Sequence, residues 1–297
     1  MAFGKGKEST DSVEIKRYTG VGSVYVKGVN PSKEELEKFF NTELQKDTEY
    51  LSETEIEGTK VPQVRLDFLV ETDPEKNLDM NGNPIELKTR VTFFLRRAPR
   101  VSRAMKKQII DKYGRTAWAT AEEIANKQIP VYSNGKPADI DADYRIAYWG
   151  EEELTNFFIA YLNIPSPKKY VNGEWVMVDA KDLPDSEARL DHIEDYFKGD
   201  FSELVTNINL QPKNKVKVLF GVRTADDGRQ YQAAYTREFL KNGVKDYSGI
   251  AKRLNEAKTA GAYSTTDFEV CALKEYVVNP TDFSQSTTET TEQLPWD

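Results

Sequence analysis

One cysteine and one histidine in 297 residues remove most enzyme chemistry at the outset. The lone Cys271 excludes an intramolecular disulfide and any multi-cysteine zinc site, as expected in a reducing compartment. Lying between Val270 and Ala272, it reads as a small buried core group. A histidine-based triad would have to use His192, and no G-x-S-x-G elbow accompanies it. Walker A, a helix-opening G-x-G-x-x-G and paired zinc-ligand spacings are also missing, so neither a cofactor nor an enzymatic activity is expected. Asp191, Glu194 and Asp195 share a helical face near Asp200 and could hold Mg²⁺, but a solvated helix face is the better reading. Long apolar runs are absent. The longest, Phe157 to Leu162, is far too short to cross a bilayer, and the opening MAFGKGKEST has no apolar signal core. A cytoplasmic protein with no membrane partner is the expectation.

What is present is a steep separation of charge. Between Leu87 and Arg115 stand Lys88, Arg90, Arg96, Arg97, Arg100, Arg103, Lys106, Lys107, Lys112 and Arg115, ten cations against the single anion Asp111. That stretch carries +9 in a chain of net charge −8, which leaves −17 on the rest and points to a polyanionic ligand. From Leu87 to Arg97 the residues alternate as in a strand. Thr89, Val91, Phe93 and Leu95 take one face, and Lys88, Arg90, Thr92, Phe94 and Arg96 the other. Cations that follow phosphates, with an exposed ring such as Phe94 to stack a base, are what a nucleic-acid platform needs. A solvated cationic edge strand is the plain alternative. Against it, the run continues with Tyr113 and Trp118 interleaved among the later cations.

The C-terminal segment is the reverse. After Pro280 the chain reads TDFSQSTTETTEQLPWD, with Asp282, Glu289, Glu292 and Asp297, no cation, and a composition too polar to bury a core. It reads as a disordered acidic tail, 281–297, ending in Leu294, Pro295, Trp296 and Asp297. This layout resembles bacterial and phage single-stranded DNA-binding proteins, whose acidic tails end in a short hydrophobic tip that docks onto replication and repair partners. With GVGSVYVKGVNPSKEEL and LDHIEDYFKGDFSEL, the chain is also similar to single-stranded DNA-binding proteins of crAss-like tailed phages. The resemblance implies a partner-binding tip at Leu294 to Asp297 and an infected bacterial cell as the setting.

Along the chain, Gly20 to Val29 reads as a glycine-rich strand, followed by a helix that Asn30, Pro31 and Ser32 open and that carries Leu36, Phe39 and Phe40. Val64 to Val70 alternates and pairs with the basic strand through a connection containing Asn81-Gly82. Helices are expected over Ala121–Lys127, Glu151–Asn163, Ser186–Phe197 and Tyr247–Lys258. Tyr170–Val178 should be a hairpin turning at Asn172-Gly173. Strands over Lys215–Arg223 and Gln230–Phe239 meet at Asp227-Gly228, and a short strand covers Glu269–Val278. In the second of that pair, Arg229, Tyr231, Tyr235 and Arg237 share one face, a second cationic and aromatic surface, although both tyrosines fit a core equally well.

Strands in hairpin order with helical insertions predict a β-rich α+β domain over 16–280, preceded by a flexible segment 1–15. An OB-fold-like small barrel is the candidate consistent with the resemblance, and an open sheet would give the same pattern. The expected function is sequence-tolerant coating of single-stranded DNA in phage replication, recombination and repair. Partners would be recruited through the tail, and the protein would self-associate on DNA. A virion-associated structural or assembly protein is the alternative.

Overall fold

A computed structural model of the chain describes residues 18–75, 84, 86–164, 168–171, 174–177, 190, 192–224, 228, 230–237, 239–244, 266–267 and 279–280. In chain order the elements are β1 (Tyr18–Val29), α1 (Lys33–Phe40), β2 (Leu51–Ile56), β3 (Thr59–Thr72), β4 (Lys88–Pro99), β5 (Lys107–Asp111), β6 (Thr116–Ala119), α2 (Ala121–Ala125), β7 (Tyr144–Ile146), β8 (Tyr148–Trp149) and α3 (Glu151–Tyr161). There follow β9 (Lys168–Val171), β10 (Glu174–Met177), α4 (Ile193–Tyr196), α5 (Ser202–Leu210), β11 (Lys215–Thr224), β12 (Gln230–Ala234), β13 (Leu240–Lys241), β14 (Thr266–Asp267) and β15 (Asn279–Pro280). The expected helix Tyr247–Lys258, the strand Glu269–Val278, the Asn81-Gly82 turn, segment 1–15 and the tail lie outside the described residues. Of the helix expected over Ser186–Phe197, the described part is α4.

Local chemistry accounts for the principal elements. α1 opens on a capping box in which the Ser32 hydroxyl accepts from the Glu35 amide and the Glu35 carboxylate accepts from the Ser32 amide. β2 and β3 form a hairpin through Glu57-Gly58, both at positive φ, the two-residue turn that matches strand twist. In β3, Val64, Leu66, Phe68 and Val70 are fully buried, as their alternation predicts, and Val91, Phe93 and Leu95 of β4 fill the same inner face. Against that face packs α3, whose Phe157 and Phe158 rings lie 4.8 and 5.8 Å from Phe68. Ile193 and Tyr196 of α4 and Leu204 and Ile208 of α5 complete the core. Each large apolar side chain so buried contributes about 1.5–3 kcal/mol.

The main sheet is antiparallel and runs β12-β11-β1-β3-β4-β8, with β2 beside β3, β13 and β14 beside β11, and β15 beside β1. β9 and β10 form a separate hairpin. A small sheet, β6-β5-β7, carries its own core of Ile109, Ala117, Ala119, Ala138, Ile140 and Tyr144.

The chain is therefore α+β and strand-rich, and of the two expected forms, an OB-like small barrel or an open sheet, the described residues give the open one. Closure would require β12 to hydrogen-bond to β4. Instead β12 pairs with β11, and the far edge of β4 pairs with β8 at Arg96 and Pro99. Between β12 and β4 an open groove of about 400 Å³ remains, lined by Arg90, Thr92, Tyr231, Gln232, Ala233, Ala234 and Thr236. No helix among the described residues is long and apolar enough to cross a membrane.

Candidate nucleic-acid interface

The outer face of β4 is organised by a carboxylate the sequence did not single out. Asp67 on β3 lies cross-strand from Thr92 and is fully buried. It accepts from the Thr92 hydroxyl at 2.7 Å, Arg65 Nε at 2.8 Å and Arg90 Nη1 at 3.2 Å, while its own amide donates to Asn30 Oδ1. Two guanidinium groups on one buried carboxylate leave a net cation at the surface and fix where it sits. Arg90 also lies 5.6 Å from the Phe40 ring, and Lys88 Nζ 5.3 Å from that of Phe39, so α1 flanks this end of the strand.

At the other end stands an aromatic and cationic cluster. Phe94 points outward and is 47% exposed, whereas its neighbour Phe93 is buried. Arg96 lies on the same face as Phe94. Its Nε donates to Gln63 Oε1 at 3.1 Å, and its guanidinium lies 5.7 Å from the ring of Trp149, its cross-strand partner on β8. Arg100 approaches Trp149 to 5.3 Å and Trp118 of the small sheet to 6.0 Å, so two cations flank one indole. Arg100 is partly neutralised by Glu152 at 3.1 Å and Glu153 at 3.7 Å. Glu152 also accepts from Gln108 Nε2 and the Thr116 hydroxyl, tying the small sheet to α3.

Trp149 owes its place to its neighbours. Gly150 adopts φ 84°, and a β-carbon there would overlap the Phe94 carbonyl oxygen and stand 3.0 Å from its carbon. Glu151, fully buried, accepts from the Tyr148 amide at 2.9 Å and pairs with Arg145. Sequence reading missed Trp149 because it lies outside the basic run. The pairing of β8 with β4 brings it there.

The remaining cations of the run divide. Arg97 points to the opposite side of β4 from Arg96 and pairs with Glu194 at 3.0 Å. Arg115 is anchored by buried Asp111 at 2.6 Å and by Asp139 at 3.3 Å, so it closes the β5–β6 turn, where Asp111 also accepts from the Tyr113 amide. Lys112 and Arg115 both lie over the Tyr113 ring, at 5.2 and 5.0 Å. The pKa of Lys112 is raised by the charges of Asp141 first and then Tyr113. Arg103 is exposed at the turn after β4, Lys106 follows it, and Lys107 begins β5.

On β12, Tyr231 is 49% exposed at the groove, but Tyr235 is 4% exposed and does not share its surface. β12 ends at Ala234, so strand alternation no longer governs Tyr235. Arg237 is exposed. Arg229 and the tip Leu294, Pro295, Trp296 and Asp297 lie outside the described residues. Among the described residues, no three acidic, histidine or cysteine side chains come together as a metal site.

The arrangement sets two rings, Phe94 and Trp149, at diagonal positions on adjacent strands. Cations flank both. The chain matches no protein-family model, no curated protein and no solved structure.

Proposed function

We propose that the chain is a sequence-tolerant single-stranded DNA-binding protein whose platform is the outer face of β4 with Trp149. The observation that carries this reading is the half-exposed Phe94 beside Arg96, which itself lies over Trp149, on a rigid sheet. Exposed rings stack bases of any sequence, and neighbouring cations meet the phosphates. Duplex DNA keeps its bases stacked on one another, so this surface favours separated strands. The curled path from β12 to β4 acts on this reading as an OB-like module, with the groove at Arg90 and Tyr231 as its open seam. The protein would coat single strands during phage replication and recombination. Its acidic segment 281–297 would compete with DNA for the basic face and pass the Leu294–Asp297 tip to partners.

Titration of labelled single-stranded and duplex oligonucleotides over a range of salt tests this. With about six phosphates neutralised, the log–log salt slope on single strands is expected near −4. Tighter binding to duplex, or a slope near zero, overturns the proposal.

A further inference from the structure

The hairpin joining β4 to β5 presents its apolar residue in an unusual way. Met105 is the most exposed large apolar side chain among the described residues, at 78%. Its backbone is left-handed, with φ 57°, a conformation disfavoured for any residue with a β-carbon. The turn fixes it there. The Ser102 amide donates to the Lys106 carbonyl at 2.8 Å, the Met105 amide to the Ser102 carbonyl at 2.9 Å, and the Lys106 amide to the Ser102 hydroxyl at 3.1 Å. Val101, bridged to Lys107, is also exposed. A single exposed methionine is ordinary. This hairpin loop calls for a left-handed residue at position 105, which glycine or asparagine would supply more cheaply; here the position carries an exposed methionine, with Arg103, Lys106 and Lys107 beside it in the loop.

Its position adds the rest. The Gln108 amide bonds to the Arg100 carbonyl at 2.9 Å, so the hairpin rises from the residue that lies over Trp118 and Trp149. The tip stands about two strand residues, roughly 7 Å, beyond that rung. Cations around it match a phosphate backbone, and methionine is among the side chains that wedge between base steps and unstack them.

We infer that Met105 is a wedge that opens base steps where a single strand, held on the β4 platform, runs into duplex. This rests on the proposed single-strand binding and assigns a strand-separating step to the hairpin that continues β4. The test uses the full chain and a DNA hairpin with a single-stranded arm, a fluorophore and a quencher at the ends of its stem. Wild-type protein is expected to open the stem. Met105→Asn, which tolerates the left-handed backbone and removes the apolar tip, is expected to open it about tenfold more slowly, with single-strand affinity changed less than about twofold. Met105→Leu should retain opening. Equal opening by wild type and Met105→Asn, with single-strand binding intact, overturns the wedge alone and leaves the tip as a protein-docking surface. Failure of the wild type to bind single strands removes the platform reading and the wedge with it.

Discussion

Gly150 and Phe94 lie so close across the β8–β4 contact that no other residue fits at position 150: an added β-carbon would overlap the Phe94 carbonyl oxygen. This contact lets β8 reach β4 and sets Trp149 beside Arg96. Gly150→Ala should therefore push the strands apart. The expected outcome is a loss of stability of about 1–3 kcal/mol from backbone strain, together with weaker single-strand binding. Chemical denaturation and oligonucleotide titration of the same variant read the two effects, and Trp149→Ala should reproduce only the second.

Phe93 and Phe94 are neighbours with opposite fates. Phe93 packs edge-on against Phe68 at 5.6 Å, so Phe93→Ala should cost about 3–5 kcal/mol of stability. Phe94→Ala should leave the melting temperature unchanged and weaken single-strand binding by about 1–3 kcal/mol at every salt concentration. A Phe94→Ala variant that binds as wild type shows that the ring does not stack.

Arg96 and Arg90 project from the same face but are differently committed. Arg96 meets a neutral glutamine and an indole, whereas Arg90 meets the buried Asp67 carboxylate. Arg96→Ala should reduce the magnitude of the salt slope by about 0.7. Arg90→Ala should reduce it less and lower stability, because Asp67 loses a charge partner while keeping Arg65. Equal slope changes for the two variants would mean that the Asp67 pairing breaks when DNA binds.

Alkaline pH should unfold the protein in a defined window. Burial, and for Tyr50 also the charge of Asp67, pushes the phenols of Tyr50 and Tyr161 up to about 12. Both donate to backbone carbonyls, Tyr50 to Pro31 and Tyr161 to Gln211. A raised folded pKa means that their contribution is fully present below the unfolded value of about 10 and is lost as pH rises through 12. Thermal melts from pH 9 to 12 should fall steeply, and Tyr161→Phe should flatten that fall while losing about 1 kcal/mol at neutral pH. An unchanged slope would mean that Tyr161 is ionised as readily folded as unfolded.

The faces of the strands were legible in the residue pattern alone. Alternation over Val64–Val70 and Leu87–Arg97 placed Val91, Phe93 and Leu95 inside and Phe94 and Arg96 outside, because a strand has a period of two and one of its faces must be buried. The helices at 33–40, 121–125 and 151–161 were legible from capping residues and 3.6-residue spacing. Which cations stay available emerges only from the packing of the elements. Arg90 and Arg115 are held by Asp67 and Asp111, and Arg97 by Glu194, since ion pairing depends on which strand or helix lies opposite. Trp149 reaches Arg96 from 53 positions later in the chain through a two-residue strand that local patterning is too short to reveal. Nor could periodicity decide whether the sheet closes. Curvature and register accumulate over β12-β11-β1-β3-β4, and in this chain they leave a groove where the last ladder would have formed.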